Sequence, residues 1–207
     1  MALPGVSGGV ETILVLLRHA SHDRLGSVLC GRMPGVTLSE SGRREADALA
    51  STLVCHRFAA VLSSPLERAV ETATAIAASQ ALAVEVDEDL NELDLGAWAG
   101  MRFEDLRGDP AWNVWNSARS HARPPGGETM LEAQARTARC IERLRRRYAG
   151  RTVALISHAD VIKAALCHAL GLSVDFHARF EIAPASLSVL IAGEWGLKVH
   201  SINEAAE

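Results

Sequence analysis

Long apolar runs are missing from this 207-residue chain, and nothing in it approaches the roughly 18 residues that a membrane span needs. The first eleven residues have no basic start and no extended apolar block, so a frayed leader is expected there and not a signal peptide. Positive charge is also scarce. The formal net charge is −4, which gives no support for a nucleic-acid partner. Lys163 and Lys198 are the only lysines among 21 basic residues, so arginine carries nearly all of the cationic chemistry. Cysteine is sparse and scattered: Cys30, Cys55, Cys140 and Cys167 form no CxxC pair, which argues against a disulfide frame or a zinc site and fits a reducing cytoplasm. Histidines and carboxylates do not share ligand spacing on any one element, so a metal centre is not expected. Repeats and low-complexity linkers are absent. Residues 5–9 are glycine-rich, but they precede the first strand and lack the Lys-Ser/Thr of a phosphate loop.

What remains is an alternation of apolar strand and helix signals over a chain 48% hydrophobic, enough for one well-buried core. Residues 12–17 and 152–156 are continuous apolar runs rich in Ile, Val and Leu, the pattern of strands buried in a parallel sheet. Shorter strands are expected at 59–62 and 83–86. A helix is expected from an N-cap at Ser39 to about His56, with Ala46, Leu49, Ala50 and Leu53 on its buried face. Ser64-Pro65-Leu66-Glu67 predicts a capped helix start, and Thr129-x-x-Glu132 predicts another, for a long helix ending near Tyr148. A further helix is expected over 160–170, stopping at Gly171. Residues 187–191 and 197–202 predict a closing hairpin. The fold class is therefore α/β: a three-layer α/β/α sandwich around a mostly parallel sheet, one domain over 1–207. Residues 98–127 stand apart, with three of the four tryptophans and a Pro-Pro-Gly-Gly break. They read either as a lid over the site or as a packed helical insertion.

Two junctions carry the chemistry. Arg18-His19 closes the first strand and Ser157-His158 closes a later one, where open α/β sheets hold their ligands. Arg68 lies in the first turns of the helix after the second strand, and a helical side chain leans back toward its N-terminus. His158 immediately precedes a helix whose free N–H groups favour an anion. Two guanidiniums, two imidazoles and a helix N-terminus make a pocket for a phosphoryl dianion, since arginine's planar fork matches phosphate oxygens. A proton donor is still required. Glu92 and Asp94, two residues apart, are the candidates, although neighbouring cations would depress a carboxyl that must stay protonated. The other histidines, His22, His56, His121, His168, His177 and His200, read as packing or surface residues. Arg43, Arg44 and the run Arg143–Arg147 read as solvated helix faces.

These segments, in this order, resemble the histidine phosphatase superfamily, the phosphoglycerate-mutase-like fold. The likeness rests on Leu17-Arg18-His19-Ala20, on residues 31–42, on Leu62 through Ala69, on Leu90 through Trp98, on Pro125 through Thr129, and on Ser157 through Asp160. It implies that His19 is the nucleophile, that Arg18, Arg68 and His158 clamp the phosphoryl oxygens, and that Glu92 protonates the leaving group. It implies no cofactor and no metal. Ser21, Arg24 and Arg32 are further candidate substrate contacts. Two departures stand out: Ala20 replaces the usual glycine after the histidine, and Leu25 occupies a position where many members carry asparagine.

The expected function is metal-independent phosphomonoester hydrolysis through a phosphohistidine on a small phosphorylated metabolite. The alternatives are a phosphoglycerate mutase or phosphomutase, and a non-catalytic protein that holds a phospho-ligand. The middle segment is short and its arginines are dispersed among Glu104, Asp105, Asp109 and Trp112, which favours hydrolysis over a mutase. Specificity is expected from Trp98, Trp112, Trp115, Arg119, His121 and Arg123. Neither nucleic acid nor a membrane is an expected partner, the expected setting is cytoplasmic, and oligomeric state, including a homodimer, stays open.

Overall fold

The computed structural model describes residues 3–4 and 10–205. Most of the expected leader, including the glycine-rich stretch 5–9, lies outside the described residues.

Among the described residues six strands form one sheet: β1 (Thr12–Arg18), β2 (Ala60–Ser63), β3 (Val84–Val86), β4 (Thr152–Ser157), β5 (Leu187–Gly193) and β6 (Gly196–Glu204). Their spatial order is β3-β2-β4-β1-β5-β6. β1, β2, β3 and β4 run parallel, while β5 pairs antiparallel with both β1 and β6. The expected hairpin therefore does close the chain, and it extends the sheet beyond β1.

Among the described residues there are six α-helices, α1 (Glu40–Leu53), α2 (Glu67–Ser79), α3 (Phe103–Leu106), α4 (Pro110–Ser117), α5 (Met130–Arg147) and α6 (Ala159–Leu170), of which α1 and α2 cover one face of the sheet and α5 and α6 the other. Successive side chains of a strand point to opposite faces, and β1 shows how both are filled. Ile13, Val15 and Leu17 pack with Leu49 and Leu53 of α1 and Ala73 and Ile76 of α2. Leu14 and Leu16 pack with Ile141 and Leu144 of α5 and Ile162 and Leu166 of α6. Burying each such side chain contributes about 1.5–3 kcal/mol, which is why residues 12–17 read as an unbroken apolar run.

The layering also fixes where a ligand can sit. β1 and β4 are neighbours, yet the chain leaves β1 for α1 on one face and leaves β4 for α6 on the other. Adjacent strands whose connections diverge leave a crevice at their C-terminal ends. Arg18 lies opposite Ser157 in the register, and the His19 N–H continues the ladder to the Ser157 carbonyl at 3.0 Å.

Helix ends bear out part of the reading. Thr129 and Glu132 form a complete capping box at α5, and Gly171 closes α6 in the left-handed conformation at φ 66°. The first helix starts after Ser39 as expected and ends three residues early, at Leu53. The capping box expected at Ser64 and Glu67 does not form. α2 begins at Glu67 after Leu66, which offers no side-chain cap. Both side chains are engaged elsewhere: Ser64 Oγ meets His158 Nε2 at 2.7 Å, and Glu67 Oε1 accepts from the Gly35 N–H at 2.9 Å.

Residues 98–127 carry α3 and α4 and build a core of their own. Trp98 and Trp115 are buried with Leu93, Leu95, Leu106 and Met130. Trp112 meets Trp98 edge-on at 5.4 Å, and the Arg119 guanidinium lies 4.6 Å from the Trp115 ring.

Gly42, in the first turn of α1, lies directly against the backbone of Ser21, two residues beyond His19, and a Cβ there would collide with the Ser21 carbonyl. Gly42→Ala should therefore destabilise the fold by about 1–3 kcal/mol, the usual cost of overpacking. Gly108→Ala, where a Cβ meets open space, is the control; urea unfolding midpoints of the two variants test the difference.

Candidate active site

The crevice at the ends of β1 and β4 is a cavity of about 170 Å³, lined among others by Arg18, His19, Arg68, Glu92 and the start of α6 at Ala159 and Asp160. Sequence reasoning put five residues at this point: Arg18, His19, Arg68 and Glu92 line the cavity, and His158 lies fully buried behind it, in contact with Arg68.

His19 is buried, and its Nδ1 lies 2.8 Å from the Ala20 carbonyl. A carbonyl can only accept, so Nδ1 carries the proton and Nε2 keeps its lone pair. Arg68 Nε donates toward that Nε2 at 3.3 Å. Burial first, and then the Arg68 charge, push the His19 pKa well below the usual histidine range. The ring is thus neutral, with one nitrogen tethered and the other turned to the cavity.

Arg68 is 1% exposed, and its Nη2 donates to the Gly31 carbonyl at 2.8 Å and lies 3.4 Å from His158 Nδ1. Gly31 holds φ +49°, a conformation that favours glycine. His158 is fully buried, with its ring centroid 5.0 Å from that of His19. Burial, followed by the charges of His19 and Arg68, lowers its pKa well below the usual value. Arg18 Nη1 donates to the Ile182 carbonyl at 2.6 Å. Two buried guanidinium nitrogens, Arg18 Nε and Arg68 Nη1, have no hydrogen-bond partner among the described residues. A buried unsatisfied donor costs about 1–3 kcal/mol, and an anion in the cavity relieves that cost.

With Asp160, Glu92 is one of two carboxyl groups on the cavity wall. Its side chain is 16% exposed, and Oε2 lies 3.8 Å from His158 Nδ1. Burial, aided by the Asp160 charge, raises its pKa to about 7 against the opposing pull of Arg68 and the Leu93 N–H. This resolves the difficulty posed by the sequence: desolvation outweighs the neighbouring cations. Asp94 has another task, for its Oδ1 accepts from the Gly96 N–H at 2.9 Å and shapes the turn.

The loop bearing Glu92 is held from behind. The Glu92 carbonyl accepts from Arg32 Nε at 2.7 Å and Arg136 Nη2 at 3.3 Å. Glu128 ties these cations together, pairing with Arg136 at 2.8 Å and Arg32 at 3.2 Å. Its own N–H donates to the Asp94 carbonyl at 2.7 Å.

The remaining expected contacts lie off the cavity wall. Arg32 faces the Glu92 backbone, Ser21 fixes its N–H on Glu45 at 2.8 Å, and Arg24 is exposed on the loop after His19. None of Trp98, Trp112, Trp115, Arg119, His121 and Arg123 lines the cavity; Phe103 does. Conversely, His22 is not mere packing. It lines the cavity with its ring 5.5 Å from His19, and burial, then Arg68 and Arg18, bring its pKa to about 4. Asp160 was not singled out either. It lines the wall and accepts from Arg119 at 2.9 Å; burial pushes its pKa up, but Arg119 outweighs that and holds it below the usual value.

The model of the histidine phosphatase superfamily (branch 1) matches residues 14–205. The chain belongs to that superfamily. A Mycobacterium tuberculosis relative named as a bifunctional protein is 37% identical over 190 residues, covering 90% of this chain and 52% of its own length. The chain thus spans about half the length of the first curated relatives it matches. Phosphoserine phosphatase 1 of Hydrogenobacter thermophilus is 30% identical over 182 residues, covering 86% of this chain and 85% of the relative. Among solved structures, a mycobacterial glucosyl-3-phosphoglycerate phosphatase superposes with a TM-score of 0.85 at 29% identity, over 94% of this chain and all of the other.

Removing one partner of a buried ion pair costs about 3–5 kcal/mol. Glu128→Ala strands the guanidinium of Arg136, itself only 7% exposed, and should lower stability by about that amount. Arg123→Ala, which breaks a half-exposed pair with Glu132, should leave the unfolding midpoint almost unchanged. Chemical denaturation of both variants checks the contrast.

Proposed function

We propose that the chain is a phosphomonoester hydrolase that works through a phosphohistidine at His19 and needs no metal. The observation that carries this is the pairing on one cavity wall of a neutral imidazole, whose Nε2 lone pair is met only by a long 3.3 Å contact from Arg68 Nε, with two guanidiniums that still have buried donors to give. Phosphoryl transfer asks for positioning and for charge stabilisation on the equatorial oxygens. Arg18 and Arg68 supply two positive charges, which balance a phosphoryl dianion without a cation.

His19 Nε2 attacks phosphorus while the ester P–O bond breaks, and the Glu92 carboxyl passes its proton to the departing oxygen. The Nδ1–H bond to the Ala20 carbonyl steadies the imidazolium so formed. Glu92, now a carboxylate, takes a proton from water, whose oxygen attacks phosphorus as the P–N bond breaks. Inorganic phosphate leaves and the neutral imidazole returns. The N-terminus of α6 holds the phosphoryl oxygens through both steps, and His158 supports them from behind through Arg68.

Relatives named as phosphatases support hydrolysis. A mutase would need further cations for a second anionic group, and Arg18 and Arg68 are the only arginines or lysines on the cavity wall among the described residues. No described helix is long and apolar enough to cross a membrane. Four cysteines without a disulfide fit the cytoplasmic setting.

Phosphate release from alkyl phosphates should persist in EDTA and vanish in His19→Ala; Arg68→Ala should lose at least about 10²–10³ in rate. Release that EDTA abolishes, or that survives in His19→Ala, would overturn the reading. The pH profile follows from Glu92. It must be protonated to act as an acid, so kcat/KM for an alkyl phosphate should fall as pH rises through about 7. Glu92→Gln should cost about 10²–10⁴ on alkyl phosphates. With p-nitrophenyl phosphate, whose leaving group needs no proton, the same variant should show a burst and then stall as the phosphoenzyme.

A further inference from the structure

The wall facing the catalytic floor is apolar. Leu25, Val28, Leu29 and Phe103 line it, and backbone bonds knit it together: Val28 bridges Arg102, and the Phe103 N–H donates to the Ser27 carbonyl at 3.1 Å. Leu25 is 40% exposed at the mouth, one of the few large apolar side chains so open in the fold. His22 beside it is neutral across the physiological range.

Charge on the rest of the wall points the same way. Arg18 and Arg68 are both committed to the phosphoryl group under the reading above. Beyond them the wall offers two carboxyl groups, Glu92 and Asp160, and the charge of Asp160 is already met by Arg119 at 2.9 Å. A carboxylate or second phosphate on the substrate would find hydrocarbon on one side and acidic residues on the other. Taking an anion out of water without a partner is costly, whereas an apolar group gains from the same burial.

We infer that the substrate is a phosphomonoester whose alcohol is uncharged and bears an apolar group close to the phosphorylated carbon, with Leu25 and Phe103 as its specificity-determining contacts. This rests on the phosphatase reading and sharpens it, because the relatives named above act on phosphoserine and on a glucosyl-phosphoglycerate. The small cavity admits the phosphoryl group and the first atoms of the alcohol, so selection acts next to the scissile bond.

The test is kcat/KM for the full chain on alkyl esters of similar leaving-group chemistry: 2-phenylethyl phosphate, glycerol 1-phosphate, phosphoethanolamine, phosphoserine and 3-phosphoglycerate. The expected order puts 2-phenylethyl phosphate at least tenfold above glycerol 1-phosphate, with the two phosphorylated acids lowest. Leu25→Arg should reverse the order toward 3-phosphoglycerate, and Phe103→Ala should erase the advantage of the phenyl ester while sparing glycerol phosphate. Preference for either acid in the wild type, most of all if Arg24→Ala removes it, would overturn the inference, as would a flat profile. A preference for phosphoethanolamine would overturn it by making Asp160 an ammonium site. No hydrolysis of any ester would instead defeat the phosphatase reading on which it stands.

Discussion

A full positive charge in the middle of the protein organises everything around it. Arg68 is 1% exposed, and a guanidinium cannot shed its charge to escape burial. It must be met by acceptors and by anions. The fold supplies one carbonyl, from Gly31, and the two imidazole nitrogens of His19 and His158. Burial first, and then the Arg68 charge beside them, keep both rings neutral. What the protein leaves unmet, it leaves to the substrate. Under the proposed function, the same charge that costs stability on burial would be the source of affinity for a dianion.

Glu92 is the counterweight. It lies in the same desolvated region, yet burial moves a carboxyl and an imidazole in opposite directions: the acid keeps its proton and the base loses one. Separating two pKa values by environment is how one site gains both an acid and a nucleophile at neutral pH. This requires that the Glu92 loop not drift outward into water, where the carboxyl would ionise. Gly96 and Gly127 let that loop lie flush on the 124–127 turn, where a Cβ at either would strike the facing backbone. Arg32, Arg136 and Glu128 then fasten it by its carbonyl.

The sheet, its parallel character, the closing hairpin and the four floor residues Arg18, His19, Arg68 and His158 were legible because each rests on local signals: apolar runs, strand-end placement and helix caps. The failures were long-range. Ser64 and Glu67 had the form of a capping box, but their side chains are claimed by His158 and Gly35, partners 94 and 32 residues away in sequence. His22 lies in a loop with no periodicity to mark it. Arg136 did leave a trace, since it interrupts the buried stripe of Ala133, Thr137, Cys140 and Ile141 on α5. A charge inside an apolar stripe announces a buried partner, here Glu128. The tryptophans of 98–127 misled because aromatic residues that fill a core and those that recognise a ligand look alike in sequence.

The floor and the facing wall are built by different means. Arg18, His19 and His158 hang from adjacent strands at the centre of the sheet, where any shift would break the ladder. Leu25, Val28 and Phe103 belong to two segments outside the sheet, joined to each other at Val28 and Arg102 and by the backbone bonds of Leu29 with Gly100 and Met101 and of Phe103 with Ser27. Mutation can therefore revise one without disturbing the other. The shape and polarity of the cavity mouth are thus set by side chains that the sheet does not constrain.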